Sequence, residues 1–103
     1  MIEKRWSSRQ PLQLEVNLEC AGNQMHGRTV DIGLGGAFVE VDAYYLEQDS
    51  DVILRFDSSK NTQVAATDLN ARVVRVADQG VGLMFQNFDA DAYRSLKTVM
   101  SYA

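Results

Sequence analysis

Hydrophobic and polar residues alternate along most of the chain, a pattern that predicts β-strands with one buried face. Residues 12–20 alternate without interruption, with leucine, valine and cysteine at the even positions and polar residues at the odd ones. A short turn then leads into a returning strand over residues 24–32. In this strand Val30 and Ile32 are predicted to face inward and Asp31 outward. The two strands form a predicted β-hairpin.

Four further strands are predicted after a glycine-rich break at residues 33–36. They span residues 37–41, 52–56, 64–76 and 81–85. The longest of them has two distinct faces, one with Leu69, Ala71 and Val73, the other with Asn70, Arg72 and Val74. The predicted total is therefore six strands.

The spacing of apolar residues changes near the C-terminus. Apolar residues there recur every three or four positions, at Tyr93, Leu96, Val99, Met100 and Ala103. Asp89 and Asp91 precede them and favour the start of a helix, so a short amphipathic helix is predicted. Six strands in so short a chain must protect their edges. We therefore expect a mainly β fold, a six-stranded antiparallel β-barrel with a C-terminal α-helix.

The composition is that of a single globular domain. The 103 residues are 46% hydrophobic and 23% charged, and a chain of this length forms one folding unit. We expect one domain over residues 1–103, with a flexible basic arm (1–10), a barrel (11–88) and a helix (89–103). One cysteine cannot form an internal disulfide, which favours a reducing cytoplasm. We expect no membrane insertion, because no stretch reaches ~20 apolar residues.

Charge is distributed unevenly along the chain. Residues 1–10 hold Lys4, Arg5 and Arg9 against Glu3, whereas the remaining residues carry 7 basic and 13 acidic side chains. An acidic body of this kind argues against DNA or RNA as a partner, because nucleic-acid binders present an excess of Lys and Arg. Any site for an anion must therefore be local.

The residues offer little support for catalysis or for a bound cofactor. Cys20 and His26 are the only residues of their kinds, and structural zinc sites usually draw four ligands from Cys and His. No serine lies in a G-x-S-x-G turn, and the glycines at residues 33–36 lack the G-x-G-x-x-G spacing of a dinucleotide site. We expect no enzyme, no metal and no cofactor.

Two local features supply complementary charges. Arg5 and Arg9 form an R-x-x-x-R spacing before the first strand, and Asp31 opens the sequence Asp-Ile-Gly-Leu-Gly-Gly. Alone, Asp31 is explained by a turn and the glycines by a bulge with positive φ. Together they match guanine, because arginine donates to O6 and N7 while a carboxylate accepts from ring N–H and amine groups. The combination favours an anionic guanine nucleotide.

With these motifs in order, the sequence resembles the PilZ domain family, bacterial receptors for cyclic di-GMP. The family pattern is R-x-x-x-R before the barrel and [D/N]-x-S-x-x-G at a strand turn. The first motif is intact, and the second keeps Asp31 and Gly36 but has Gly33 in place of the serine. The resemblance covers nearly the whole chain and implies the barrel and C-terminal helix expected above.

The resemblance also implies a ligand site. Arg5 and Arg9 would clamp the guanine edges and phosphates of cyclic di-GMP, and Asp31 would accept from the guanine N–H groups. Gly33 and Gly36 would lie in the turn against the ligand, and Lys4 would meet a second ligand copy. The missing serine hydroxyl costs roughly 0.5–1.5 kcal/mol, less than the roughly 1.5–3 kcal/mol of a charge-assisted arginine contact, so binding is expected.

The implied function is that of a receptor whose basic arm closes over the ligand and presents a new surface to a downstream protein partner. One alternative is a PilZ-like interaction module that does not sense the nucleotide, although such members usually lack the arginine motif. A third reading, a phosphodiesterase acting on the nucleotide, lacks metal ligands and a convincing base.

Overall fold

The computed structural model describes residues 9–42, 46–56, 68–86 and 89–100. Seven strands and one helix occur in this part of the chain. They are β1 (Gln10–Pro11), β2 (Glu15–Cys20), β3 (Asn23–Ile32), β4 (Gly36–Glu40), β5 (Asp51–Phe56), β6 (Asp68–Ala77), β7 (Gly80–Phe85) and α1 (Ala90–Met100). Residues 57–67, which include the start of the predicted fifth strand, lie outside the described residues.

The strands form a closed antiparallel barrel. Their order is β1-β3-β2-β5-β6-β7-β4, and pairing of β3 with β4 closes the sheet. Six strands make the barrel, as the alternation predicts, and the helix follows them. The short strand β1 is an addition that was not predicted: it pairs with the end of β3, beyond the stretch that pairs with β2. Pro11 favours the extended backbone that this pairing needs.

The inward faces of the strands form one hydrophobic core. In β6 the predicted faces are confirmed, with one set of side chains buried and the alternate set exposed. The helix contributes Leu96, which is fully buried. The largest fully buried apolar side chains are Leu18, Ile32, Leu54, Leu69, Leu83 and Leu96. A core of this kind follows directly from period-2 alternation closed into a barrel.

The prediction that Val30 faces inward is wrong. Val30 is 41% exposed, whereas Thr29 and Ile32 are fully buried. The pairing of β3 with β4 shifts its register between Thr29 and Asp31, which marks a β-bulge. A bulge inserts an extra residue into one strand and reverses the faces on either side of it. Strict alternation therefore fails at this position.

The buried hydroxyl of Thr29 joins the bulge to the segment between β1 and β2. Its Oγ1 donates to the carbonyl of Leu12 at 2.5 Å and accepts from the N–H of Leu14 at 2.8 Å. The backbone N–H of Thr29 also donates to the carbonyl of Leu14 at 2.9 Å. The hydroxyl thus satisfies backbone groups where the chain passes from β1 to β2.

The helix begins as its aspartate signals predict. The Asp89 carboxylate accepts from the N–H of Ala92 at 2.8 Å, an N-cap that satisfies one of the unpaired amides of the first turn. Leu96 faces the core, but Tyr93 is 39% exposed and lies beneath Lys97, whose Nζ is 5.4 Å from the ring centroid. In the described residues, no helix is long and apolar enough to cross a membrane.

Gly36 begins β4 at a point where two backbones nearly touch. A Cβ at this position would lie 2.1 Å from the carbonyl oxygen of Leu83 on β7. Because that obstacle is backbone, it cannot rotate away. Gly36 is therefore required by the packing of β4 against β7.

We expect Thr29→Val to lower the free energy of unfolding by about 1–3 kcal/mol, because valine leaves the amide of Leu14 and the carbonyl of Leu12 without their partner. Urea denaturation followed by circular dichroism measures this change. Thr29→Ser keeps the hydroxyl and should lose clearly less stability. Equal stability of Thr29→Val and the wild type would contradict the role of this hydroxyl.

We expect Gly36→Ala to destabilise the barrel by roughly 1–3 kcal/mol, because the added methyl group overpacks against a fixed carbonyl. Gly82→Ala is the matched control: its Cβ would meet nothing closer than the Cβ of Arg75 at 3.5 Å, an ordinary contact. Thermal unfolding of both variants compares the two sites. Similar melting temperatures would show that β4 and β7 can move apart at Gly36.

Candidate functional site

The structure describes four of the six predicted site residues. Arg9 immediately precedes β1, Asp31 lies near the end of β3, and Gly33 and Gly36 lie in and after the turn that follows. Lys4 and Arg5 fall outside the described residues. The two predicted motifs, one with Arg9 and one with Asp31, thus come together where β1 pairs with β3.

Arg9 and Asp31 form an ion pair. Nη1 of Arg9 lies 3.4 Å from Oδ1 of Asp31, and their side chains are 20% and 32% exposed. The same Oδ1 accepts from the backbone N–H of Phe38 at 3.2 Å. The register of β1 against β3 places Pro11 opposite Asp31. Arg9, which precedes β1, therefore lies close to the Asp31 carboxylate. Strand pairing therefore positions the predicted arginine and aspartate together.

A row of paired residues extends from Asp31 across the outer face of the barrel. Asp31 lies opposite Phe38 on β4, Phe38 opposite Gly82 on β7, and Gly82 opposite Arg75 on β6. Gly82 has no side chain between its neighbours in the row. The Arg75 guanidinium carbon accordingly lies 5.3 Å from the centroid of the Phe38 ring, a cation–π contact.

These side chains line an open cleft of about 400 Å³. Its lining residues are Arg9, Asp31, Phe38, Val74, Arg75 and Gly82. The cleft thus combines two guanidinium groups, one carboxylate, an aromatic ring and an aliphatic side chain. Guanidinium groups donate in a planar fork to phosphates and base edges, and a carboxylate accepts from N–H groups. The set suits a planar, anionic ligand that carries N–H donors.

Arg75 differs from the other arginines that the structure describes. The others each pair with a nearby carboxylate: Arg9, Arg28, Arg55, Arg72 and Arg94. Arg75 instead lies over an aromatic ring. An anionic ligand in the cleft would therefore meet a guanidinium that no carboxylate of the described residues neutralises.

Sequence reasoning missed Phe38, Val74, Arg75 and Gly82. A second bulge, between Val73 and Arg75 in β6, places Val74 and Arg75 both on the exposed surface. A signal for it existed: strict alternation after Val73 would bury Arg75 in the core, and a charged residue at a predicted core position indicates an irregularity. Phe38 and Gly82 carried no comparable signal, because their place depends on the register of the closed barrel.

The predicted glycines take structural positions. The N–H of Gly33 donates to the carbonyl of Gly36 at 2.8 Å, and both residues are buried. Neither has positive φ, which among the described residues occurs at Ala21, Gly22 and Asp49. The alternative that these glycines adopt positive φ in a bulge is therefore wrong.

His26 lies on the surface outside the cleft. Its side chain is 51% exposed, and Nε2 lies 3.3 Å from Oε1 of Glu15. Hydrogen bonds from Arg28 and His26 lower the pKa of Glu15. In the described ranges, no three His, Cys, Asp or Glu side chains cluster in a way that could hold a metal ion. The side chains that line the cleft can recognise a ligand by charge, hydrogen bonding and stacking.

Several solved structures have this architecture. The PilZ domain of CeSA from a cellulose-synthesizing bacterium matches with a TM-score of 0.75 and 22% identity, over 93% of this chain and 98% of that one. The PilZ domain of YcgR from Escherichia coli, solved with c-di-GMP, matches with a TM-score of 0.76 and 15% identity, over 96% and 91% of the two chains. These identities are low, so the likeness concerns the fold.

The inhibitor of motility MotI/DgrA from Bacillus subtilis matches with a TM-score of 0.76 and 16% identity, over 98% of this chain and 52% of that one. A comparison with curated proteins finds no match. The family model described as PilZ domain matches residues 3–101. That match spans nearly the whole chain, both motifs and every described strand, and so the chain belongs to the PilZ domain family.

Proposed function

We propose that this protein is a receptor for cyclic di-GMP that binds the nucleotide in the cleft between Arg9 and Arg75. The PilZ domain is a receptor fold for this nucleotide. The observation that carries the proposal is the pairing of Arg9 with Asp31 at the edge of an open cleft. These two residues belong to separate sequence motifs, and the fold brings their side chains within hydrogen-bonding distance.

The carboxylate of Asp31 can serve the fold and a ligand together. Both of its donors in the described structure, from Arg9 and Phe38, meet Oδ1. Oδ2 is thus directed to no donor within the described residues. In the proposed complex it accepts from the N–H groups of guanine, which adenine does not present in the same arrangement.

The arginines of the cleft donate hydrogen bonds to the acceptor groups of the ligand. Cyclic di-GMP carries two phosphates, and Arg9 donates to a phosphate or to the O6 and N7 edge of guanine. Arg75 and Phe38 offer a flat surface on the far side of the cleft, against which a base stacks. We propose that Arg5 and Lys4 add further positive charge as the arm closes over the ligand. Gly33 supplies no hydroxyl, which weakens binding by roughly 0.5–1.5 kcal/mol.

We propose that closure of the arm is the output of binding. An arm that orders over the ligand covers part of the barrel and offers a downstream protein a surface that the empty protein lacks.

The receptor acts without catalysis, and we place it in the bacterial cytoplasm, where Cys20 remains reduced. Trp6 is the single tryptophan of the chain and lies within the arm sequence, so its fluorescence reports arm closure directly.

We expect isothermal titration calorimetry to show binding of cyclic di-GMP, and Arg9→Ala to weaken it roughly 10- to 150-fold through loss of a charge-assisted contact. Arg28→Ala is the matched control, since Arg28 also pairs with a carboxylate across two strands, outside the cleft. Cyclic di-AMP should bind poorly, because it lacks the guanine N–H groups that would donate hydrogen bonds to Asp31. A shift of Trp6 emission on saturation should accompany binding.

Two outcomes would overturn parts of this proposal. If the wild-type protein shows no binding at high micromolar ligand, the chain is an interaction module that does not sense the nucleotide. If binding occurs with no change in Trp6 emission, the ligand site stands and arm closure fails.

We expect Arg75→Ala to weaken binding of cyclic di-GMP by roughly 10-fold or more, because it removes a cation and a stacking surface from the cleft. Arg72→Ala is the control from the same strand, since Arg72 pairs with Asp51 outside the cleft. Titration at two salt concentrations should show a smaller salt dependence for Arg75→Ala than for the wild type. Identical affinities of the two variants would show that the Arg75 side chain does not contribute to binding.

A further inference from the structure

The C-terminal end of α1 is tied to the segment that carries Arg9. The side-chain amide of Gln10 donates from Nε2 to the carbonyl of Met100 at 2.6 Å, across 90 positions of sequence. Met100 is the last residue of α1, and the last four carbonyls of a helix have no partner within it. Gln10 therefore supplies a hydrogen bond that the end of the helix cannot make for itself.

The same short segment is tied to the nucleotide cleft. Arg9 pairs with Asp31, and the backbone of Gln10 pairs with Ile32 in the two-residue strand β1. Successive Cα atoms are held about 3.8 Å apart, so a shift of the Arg9 backbone is passed to Gln10. Because β1 is only two residues long, few ladder hydrogen bonds resist such a shift.

We propose that Gln10 couples occupancy of the nucleotide cleft to the C-terminal end of α1. The coupling rests on the proposed function: while Oδ2 of Asp31 accepts from guanine, the phosphates of the ligand draw the Arg9 guanidinium away from Oδ1. β1 follows Arg9, and the Gln10 amide leaves the Met100 carbonyl. A 2.6 Å bond is lost beyond about 3.5 Å, so a displacement on the order of 1 Å is sufficient. The last turn of α1 is then released when the nucleotide binds.

Hydrogen–deuterium exchange of the last turn of α1 tests this coupling. In the absence of ligand, Gln10→Met keeps the side-chain length but cannot donate, so exchange there should be roughly two- to tenfold faster than in the wild type, as expected for one lost hydrogen bond. Arg9→Ala should accelerate exchange at the same amides, because it removes the tie to Asp31. The exposed Gln13 provides the control, and Gln13→Met should exchange like the wild type.

Saturating cyclic di-GMP should accelerate exchange in the wild type to the rate of ligand-free Gln10→Met, and should leave that variant unchanged. A purely structural hydrogen bond would show the effect of the substitution but none of the ligand. If calorimetry shows binding while the last turn exchanges at one rate with and without ligand, the coupling is wrong and the receptor function stands. If no binding occurs, both fail, and ligand-free Gln10→Met still shows whether the tie protects the helix.

Discussion

The bulge at Val30 is the constraint on which the barrel and its cleft both depend. An extra residue in a strand leaves backbone groups out of the ladder, and these must find other partners. The carbonyl of Val30 accepts from the backbone N–H of Leu12 at 3.3 Å, and the two residues that flank Val30 add hydrogen bonds from their side chains. Thr29 pairs with backbone groups before β2, and Asp31 pairs with the amide of Phe38 on β4. One irregularity thus fixes both the entry of the chain into the barrel and the direction of the Asp31 carboxylate.

The sequence pattern predicts those parts of the fold that follow from local periodicity. Six barrel strands, the C-terminal helix and the two faces of β6 are all consequences of which residues are apolar and how they are spaced. The bulges at Val30 and Val74 are not, because each depends on hydrogen bonds to a neighbouring strand. The short strand β1 escapes prediction for the same reason, since pairing alone holds two residues in register.

The candidate site likewise contains some residues that the sequence predicts and others that only the fold brings together. Arg9 and Asp31 are recognisable because each belongs to a motif with a chemical meaning of its own. Phe38, Gly82 and Arg75 become neighbours only once β4, β7 and β6 close in a particular register. Phe38 supplies an aromatic surface, Gly82 leaves space beside it, and Arg75 supplies a cation. No single segment of the sequence contains all three. The two halves of the cleft therefore have different origins, one in motifs and the other in topology.

The bond from Asp31 to the Phe38 amide also bears on how the family can vary. That bond requires an oxygen acceptor and not a negative charge, and the side chain of asparagine carries an equivalent oxygen. The family pattern accepts either residue at this position. A lineage that exchanges Asp31 for asparagine would keep the strand junction while removing a negative charge from the cleft. Evolution can in this way change the charge of the cleft without rebuilding the barrel.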